Sequence, residues 1–161
     1  MILVGIGSNL CSKKYGKPVD NCKEAIEVLK KKMIIDSLSP WYQSEPLPVS
    51  NQPWYINGVL KVKTSLNPNN LLNTLLKVEN SFGRTREKKN EPRVIDLDLL
   101  TYNDLVIDSK LLVMPHPRMH KRRFVLDPLI DIAPEWVHPI LKINAIELRK
   151  KIKNQQNIKK L

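Results

Sequence analysis

Two aspartates separated by one residue, Asp96 and Asp98 in "RVIDLDLL" (93–100), are the side chains of this sequence best placed to do chemistry. The branched apolar residues around them make the stretch a strand, a setting that aspartate disfavours. Strand alternation sends Ile95, Leu97 and Leu99 to one face, toward the helices, and both carboxylates to the other. Residues two apart on a strand are separated by roughly 6.5–7 Å, so the pair can converge on one cation or bridge two about 4 Å apart. Oxygen-only ligation suits Mg²⁺ rather than zinc. An isolated pair of this kind can equally decorate the wet face of a sheet. Here, however, Arg84, Arg86 and Arg93 flank it. Their planar forks fit a ligand carrying more negative charge than one or two Mg²⁺ neutralise, which describes a nucleoside triphosphate. Glu79, near the end of a predicted helix, either faces a nucleotide or is an exposed glutamate paired with a nearby arginine; spacing does not choose.

The elements that must position these groups follow from periodicity. "ILVGIGSNL" reads as a buried strand running into a turn. Its Gly5-x-Gly7-x-x-Leu10 lacks the third glycine of a dinucleotide fingerprint, and no helix follows at once. Apolar residues at helical spacing predict a helix over 19–33 with Asp20 as cap. Pro40, Pro46, Pro48 and Pro53 forbid a helix across the next region, which reads as a strand with a turn-rich exit and a long loop, roughly 44–53. "WYINGVLKVKTSL" alternates as a half-exposed strand. The following segment is a helix with Asn69 or Asn70 as N-cap, one face of Leu71, Leu72, Leu75, Leu76 and Phe82, and Gly83 as C-cap. After the aspartate strand come a short helix from about 122 to 131 and a last one over about 144–153. The order strand, helix, strand, strand, helix, strand points to an α+β ferredoxin-like sandwich, an antiparallel sheet with helices covering one face.

Length and composition bound the rest. The 161 residues fit a single domain, 1–161, whose core needs neither disulfides nor structural metal. Cys11 and Cys22 have no metal-ligand spacing, no leader pattern opens the chain, and no run approaches the roughly 20 apolar residues of a membrane span. A cytoplasmic setting fits. The net charge of +11 is concentrated: residues 142–161 hold seven basic residues against Glu147 alone, and 83–93 hold five basic and two acidic ones. The first cluster, with its basic tail at about 154–161, reads as a solvated helix end or frayed segment, or alternatively as a nucleic-acid or membrane-surface arm. The second abuts the aspartates.

Four ordered segments together resemble hydroxymethyldihydropterin pyrophosphokinase, a family of folate biosynthesis: "GIGSNL" (5–10), "SEPLPVSNQPWYINGV" (44–59), "ENSFGRTR" with "PRVIDLDLL" (79–86, 92–100), and "MPHPRMHKRRFVLDPLIDIAPEW" (114–136). The resemblance implies transfer of diphosphate from ATP, the co-substrate, to the hydroxymethyl group of 6-hydroxymethyl-7,8-dihydropterin, leaving AMP, by a monomer that binds neither nucleic acid nor membrane. It implies that Asp96 and Asp98 hold two Mg²⁺ ions, with Asp96 also at the pterin. Tyr55 and Phe124 would sandwich the pterin ring, although plain core packing also accounts for them. Ser44, Asn57 and backbone groups around Pro46 and Leu47 would read its edge. Arg84 and Arg93 would bind phosphates and stabilise the transferred group, with Arg86 a helper; Glu79, Leu99, His116 and Arg122 would lie at the nucleotide. Segments 44–53 and 84–92 would be lids. The mechanism implied is in-line attack of the pterin hydroxyl on the β-phosphorus, with no side chain an obvious general base.

The sequence departs from the family pattern at "KKNEPR" in the second lid, with Asn90 and Glu91 where some members have a tryptophan and "GPR". It departs again at Pro117 after "PH", where a tyrosine can stand, and at Leu76, where a glutamine can. Two other classes compete. A nucleic-acid-binding ferredoxin-like domain would want aromatic and glycine residues on a recognition strand, which "VLKVKTSL" and "VIDLDLL" lack. A two-metal nuclease would want further acidic ligands, for which Glu79 is the one candidate.

Overall fold

The computed structural model describes residues 1–83, 91–153 and 156–161. In chain order these form β1 (Ile2–Ser8), α1 (Pro18–Lys30), β2 (Ile34–Leu38), β3 (Tyr42–Ser44), β4 (Tyr55–Lys63), α2 (Pro68–Ser81), β5 (Asp96–Tyr102), β6 (Ile107–Asp108), β7 (Val113–Met114), a 3-10 turn (Met119–Lys121), α3 (Arg123–Ile132), α4 (Ala145–Lys151) and β8 (Ile158–Lys160). The main sheet runs β5-β1-β4-β3-β8, with β2 also on β4, and every pairing is antiparallel. An antiparallel sheet with helices packed on it is the α+β sandwich expected. The helices, however, cover both faces rather than one. Ile2, Val4, Ile6, Leu60, Val62, Leu97 and Leu99 pack with α1 and α2, whereas Leu3, Val59 and Leu100 pack with α3 and α4. The cause is in the strands: runs such as Ile2-Leu3-Val4 and Leu99-Leu100 carry large apolar side chains on both sides, and both must leave water.

Local chemistry moved several boundaries. Helix α1 starts at Pro18, whose fixed φ suits the first helical position, so Lys17 is the N-cap and Asp20 sits at N3, accepting a bond from the Lys17 N–H at 3.2 Å. The helix also stops at Lys30. In α2, Pro68 again takes the first position and Asn67, not Asn69 or Asn70, caps, its Oδ1 accepting from Asn70 N at 2.9 Å. Gly83 follows with φ +79, the left-handed exit that glycine allows. The single strand expected around 33–47 is two, β2 and β3, broken at Pro40. Helix α4 ends at Lys151, and the β6–β7 hairpin was not anticipated.

The C-terminal segment differs most from expectation. Instead of a solvated end, residues 158–160 form the edge strand β8, paired Tyr42↔Lys160, Gln43↔Lys159 and Ser44↔Ile158. The alternation of this short segment is masked by its lysines, two of which follow Ile158. Lys160 meets Asp131 of α3 at 2.7 Å, and Leu161 N donates to Trp41 O at 2.9 Å. No helix among the described residues is long and apolar enough to cross a membrane.

Candidate active site

The site lies on the α3 face of the sheet, where side chains have been removed rather than added. Register places Gly7 opposite Asp96 on β5 and opposite Asn57 on β4, and Gly5 opposite Asp98 and Val59. Facing residues in a ladder point to the same side, so Asp96 and Asn57 flank a gap of two strand spacings, roughly 9.5 Å, with glycine at its floor. A Cβ on Gly7 would come within 3.1 Å of Asn57 Oδ1. Glycine inside a strand often marks such a close approach. Above this floor opens a cleft of about 740 Å³.

Most of the residues anticipated from sequence line it: Ser44, Pro46, Leu47, Tyr55, Asn57, Arg93, Asp96, Asp98, His116, Arg122 and Phe124. The two carboxylates keep 22% and 35% of their side-chain surface open, enough to reach a ligand. Ser44 and Asn57 are buried, with Asn57 Nδ2 donating to Ser44 Oγ at 2.8 Å, and Tyr55 lies opposite Ser44, two residues before Asn57 on β4. Phe124, at the start of α3, is covered by the Arg122 guanidinium 5.3 Å above its ring. Cations stand against both carboxylates. Arg93 Nη1 donates to Asp96 Oδ2 at 2.9 Å, and Arg122 Nη1 stands 3.9 Å from Asp98 Oδ2.

Electrostatics follow from this crowding. Burial works against the charge of Arg93, but Asp96 and its neighbours outweigh it and hold the guanidinium above its ordinary value. Burial, then Arg118, pull Arg122 down, with Asp98 and Asp96 opposing. His116 is pushed down to about 4, first by burial and then by Arg122 and Arg118. Its ring is therefore neutral, and its Nδ1 accepts from Arg118 N at 3.2 Å.

Two anticipated residues stand elsewhere. Leu99 is buried among α1 and α2, because alternation turns its side chain to the face opposite the aspartates. Glu79 is 0% exposed on that same side, where it accepts a bond from Leu97 N at 2.7 Å; it neither lines the cleft nor sits on the surface. Its carboxylate thus grips the backbone between Asp96 and Asp98. Arg84 and Arg86 lie outside the described residues, as do positions 84–90 of the second lid. Sequence reasoning missed Arg118, Glu45 and Gln52, which line the cleft, and the two glycines of its floor. It also missed Asn9, whose side chain accepts from Arg93 N at 2.8 Å and donates to Pro53 O at 3.0 Å, tying the end of loop 44–53 to the start of the aspartate segment. The Gly-x-Gly inside a buried strand was the available signal.

The donor set is consistent with a hard cation shared with a ligand. Asp96 and Asp98 offer oxygen only, and among the described residues no cluster of three His, Cys, Asp or Glu could enclose a metal. Mg²⁺ is commonly held this way, by one or two carboxylates with phosphate and water completing its shell. Glu79, the further acidic ligand a two-metal nuclease would want, is on the other side of the sheet.

Comparison with known proteins agrees with this geometry. The family described as 7,8-dihydro-6-hydroxymethylpterin-pyrophosphokinase (HPPK) matches residues 3–134. This chain belongs to the HPPK family. A 2-amino-4-hydroxy-6-hydroxymethyldihydropteridine pyrophosphokinase from Synechocystis is 42% identical over 139 residues, covering 85% of this chain and 68% of the relative. The folic acid synthesis protein FOL1 of Dictyostelium discoideum is 38% identical over 158 residues, 98% of this chain but only 23% of that protein. A crystal structure of Plasmodium falciparum HPPK-DHPS superposes with a TM-score of 0.72 at 16% identity, over 93% of this chain and 44% of that one, and so supports the fold. The HPPK match covers every described cleft residue named above, whereas β8 falls beyond it.

Proposed function

We propose that this chain transfers diphosphate from ATP to the hydroxymethyl group of 6-hydroxymethyl-7,8-dihydropterin, giving AMP and the pterin diphosphate. What supports the reading is that Asp96 and Asp98 line a single cleft together with Arg93, Arg118 and Arg122 and with Ser44, Tyr55, Asn57 and Phe124. A flat heterocycle with donors and acceptors along one edge fits the aromatic and amide groups. A polyphosphate fits the arginines beside the two carboxylates.

Asp96 and Asp98 are the residues that would hold Mg²⁺, two ions in this reading, which when bound neutralise phosphate charge and polarise the reacting oxygens. Arg93, braced by Asp96 and by the Asn9 side chain on its backbone, presents a fixed guanidinium to the transferred group. Arg122 meets the remaining phosphate charge, as Arg84 and Arg86 would. His116 is neutral and serves the nucleotide by packing and hydrogen bonding rather than charge. Tyr55 and Phe124 orient the pterin so that its hydroxyl lies in line with the β-phosphorus, which accounts for rate through proximity. Among the described residues no side chain is assigned as general base. Residues 1–161 are taken as a single catalytic domain, acting as a monomer in the cytoplasm.

The test is AMP release from ATP and Mg²⁺ with 6-hydroxymethyl-7,8-dihydropterin present or omitted. AMP that depends on both pterin and Mg²⁺ is expected. AMP formed equally without pterin, or none from a folded protein that binds ATP, would overturn the proposal.

A further inference from the structure

Strand β3 has three residues, and it is the strand that delivers Ser44 and then residues 45–47 to the cleft wall. A strand this short, leaving directly into Pro46 and Pro48, has little of its own to fix its direction. On one side it is paired with β4, Ser44 opposite Tyr55. On the other side its strand partner among the described residues is β8, in the C-terminal segment.

The contacts of that segment concentrate on Glu45, the first residue past β3. Glu45 N donates to Asn157 O at 3.1 Å, and Gln156 Nε2 donates to Glu45 O at 2.8 Å. Asn157 N and Nδ2 donate to the two carboxylate oxygens of Glu45 at 2.7 and 3.1 Å. Both backbone groups and both side-chain oxygens of Glu45 are thus held by two consecutive residues. Gln156 is itself 4% exposed, and its carbonyl accepts from Arg123 Nη1 at 3.0 Å, one residue before Phe124. Farther along, Asp131 of α3 accepts from both Lys160 and Tyr42 of β3, at 2.7 and 2.6 Å. The segment therefore joins β3 with its loop to the start of α3, both of which line the cleft.

We propose that residues 156–161 are a positioning element for substrate recognition: the segment fixes residues 44–47 against the Phe124 wall and so sets the affinity for the pterin rather than for ATP. Gln156 and Asn157 are the positioning residues. Neither lines the cleft, and the inference rests on the diphosphokinase reading.

Three proteins test it: the full chain, Gln156→Met, which keeps side-chain bulk and removes the donor to Glu45 O, and a chain ending at residue 155. Calorimetric titration with the pterin in the presence of Mg²⁺ and a non-hydrolysable ATP analogue, and with the analogue alone, is combined with thermal melting and amide hydrogen exchange of residues 42–47. Loss of one neutral hydrogen bond predicts a pterin Kd raised by up to roughly fivefold in Gln156→Met, with analogue affinity unchanged and the thermal midpoint lowered by no more than a few degrees. The shortened chain should lose more pterin affinity and exchange faster at 42–47. Unchanged pterin affinity, or pterin and ATP-analogue affinity falling in parallel with the thermal midpoint, would overturn the proposal. If the full chain binds no pterin, the diphosphokinase reading fails. Exchange at 42–47 then decides the tail separately, because unaltered exchange in the shortened chain removes any positioning role.

Discussion

His116 gives the most quantitative test of the electrostatics of the cleft. Its imidazole is held neutral by burial and by the positive charges of Arg122 and Arg118, with a folded value of about 4 against an ordinary 6.5. The unfolded chain takes up its proton at the ordinary value and the folded chain does not. The stabilising contribution is therefore complete above 6.5 and is lost as pH falls toward 4. Between pH 8 and pH 5 the linkage relation gives about 2 kcal/mol, which solvent screening of a partly exposed ring reduces to about 1–2 kcal/mol.

The perturbation is His116→Asn, whose amide oxygen can still accept from Arg118 N but does not titrate. Urea unfolding of the ligand-free proteins at pH 8, 7, 6 and 5 reads the effect. The expected result is a wild-type stability that falls by about 1–2 kcal/mol more than that of the variant across this range. Burial also lowers His120 and His138, but both remain in each protein and cancel in the comparison. Two curves that stay parallel from pH 8 to pH 5 would refute the account of a ring kept neutral by its surroundings.

Asp98→Asn removes one charge at nearly constant volume, and pterin-dependent AMP release should fall on the order of 100-fold or more while the thermal midpoint stays within a few degrees. Near-normal turnover would remove Asp98 from the metal assignment. Glu79→Ala strips the buried acceptor from Leu97 N and should cost about 2–3 kcal/mol in urea unfolding, with slower AMP release because the backbone between the aspartates is freed. An unchanged unfolding midpoint would argue against that grip.

What the tail does to its neighbours reverses a natural inference from sequence. Seven basic residues against one acidic suggest an end that stays in water, and on that basis its removal should be harmless. Yet the bonds that matter at 156 and 157 are made by amide side chains and backbone, whose partner Glu45 is 111 and 112 residues away. No periodicity marks such a pairing. Charge counts describe how a segment is solvated, not whether its backbone finds a strand edge.

The sequence by itself determined the local patterns and marked most of the candidate residues. Alternation in the aspartate strand put Asp96 and Asp98 on one face and Leu97 and Leu99 on the other, and helix periodicity found α1, α2 and α3 to within a few residues, because those patterns are local consequences of backbone geometry. It also marked the ordered motifs whose residues now line one cleft. Only the tertiary structure decided which face that cleft occupies, that Gly5 and Gly7 are its floor, that Glu79 bonds the β5 backbone from behind the sheet, and that Gln156 and Asn157, just before the last strand, hold Glu45. Each of these depends on register and on which strand lies beside which. Those are fixed by burying apolar side chains on both faces at once, a condition that no single segment of the chain can express.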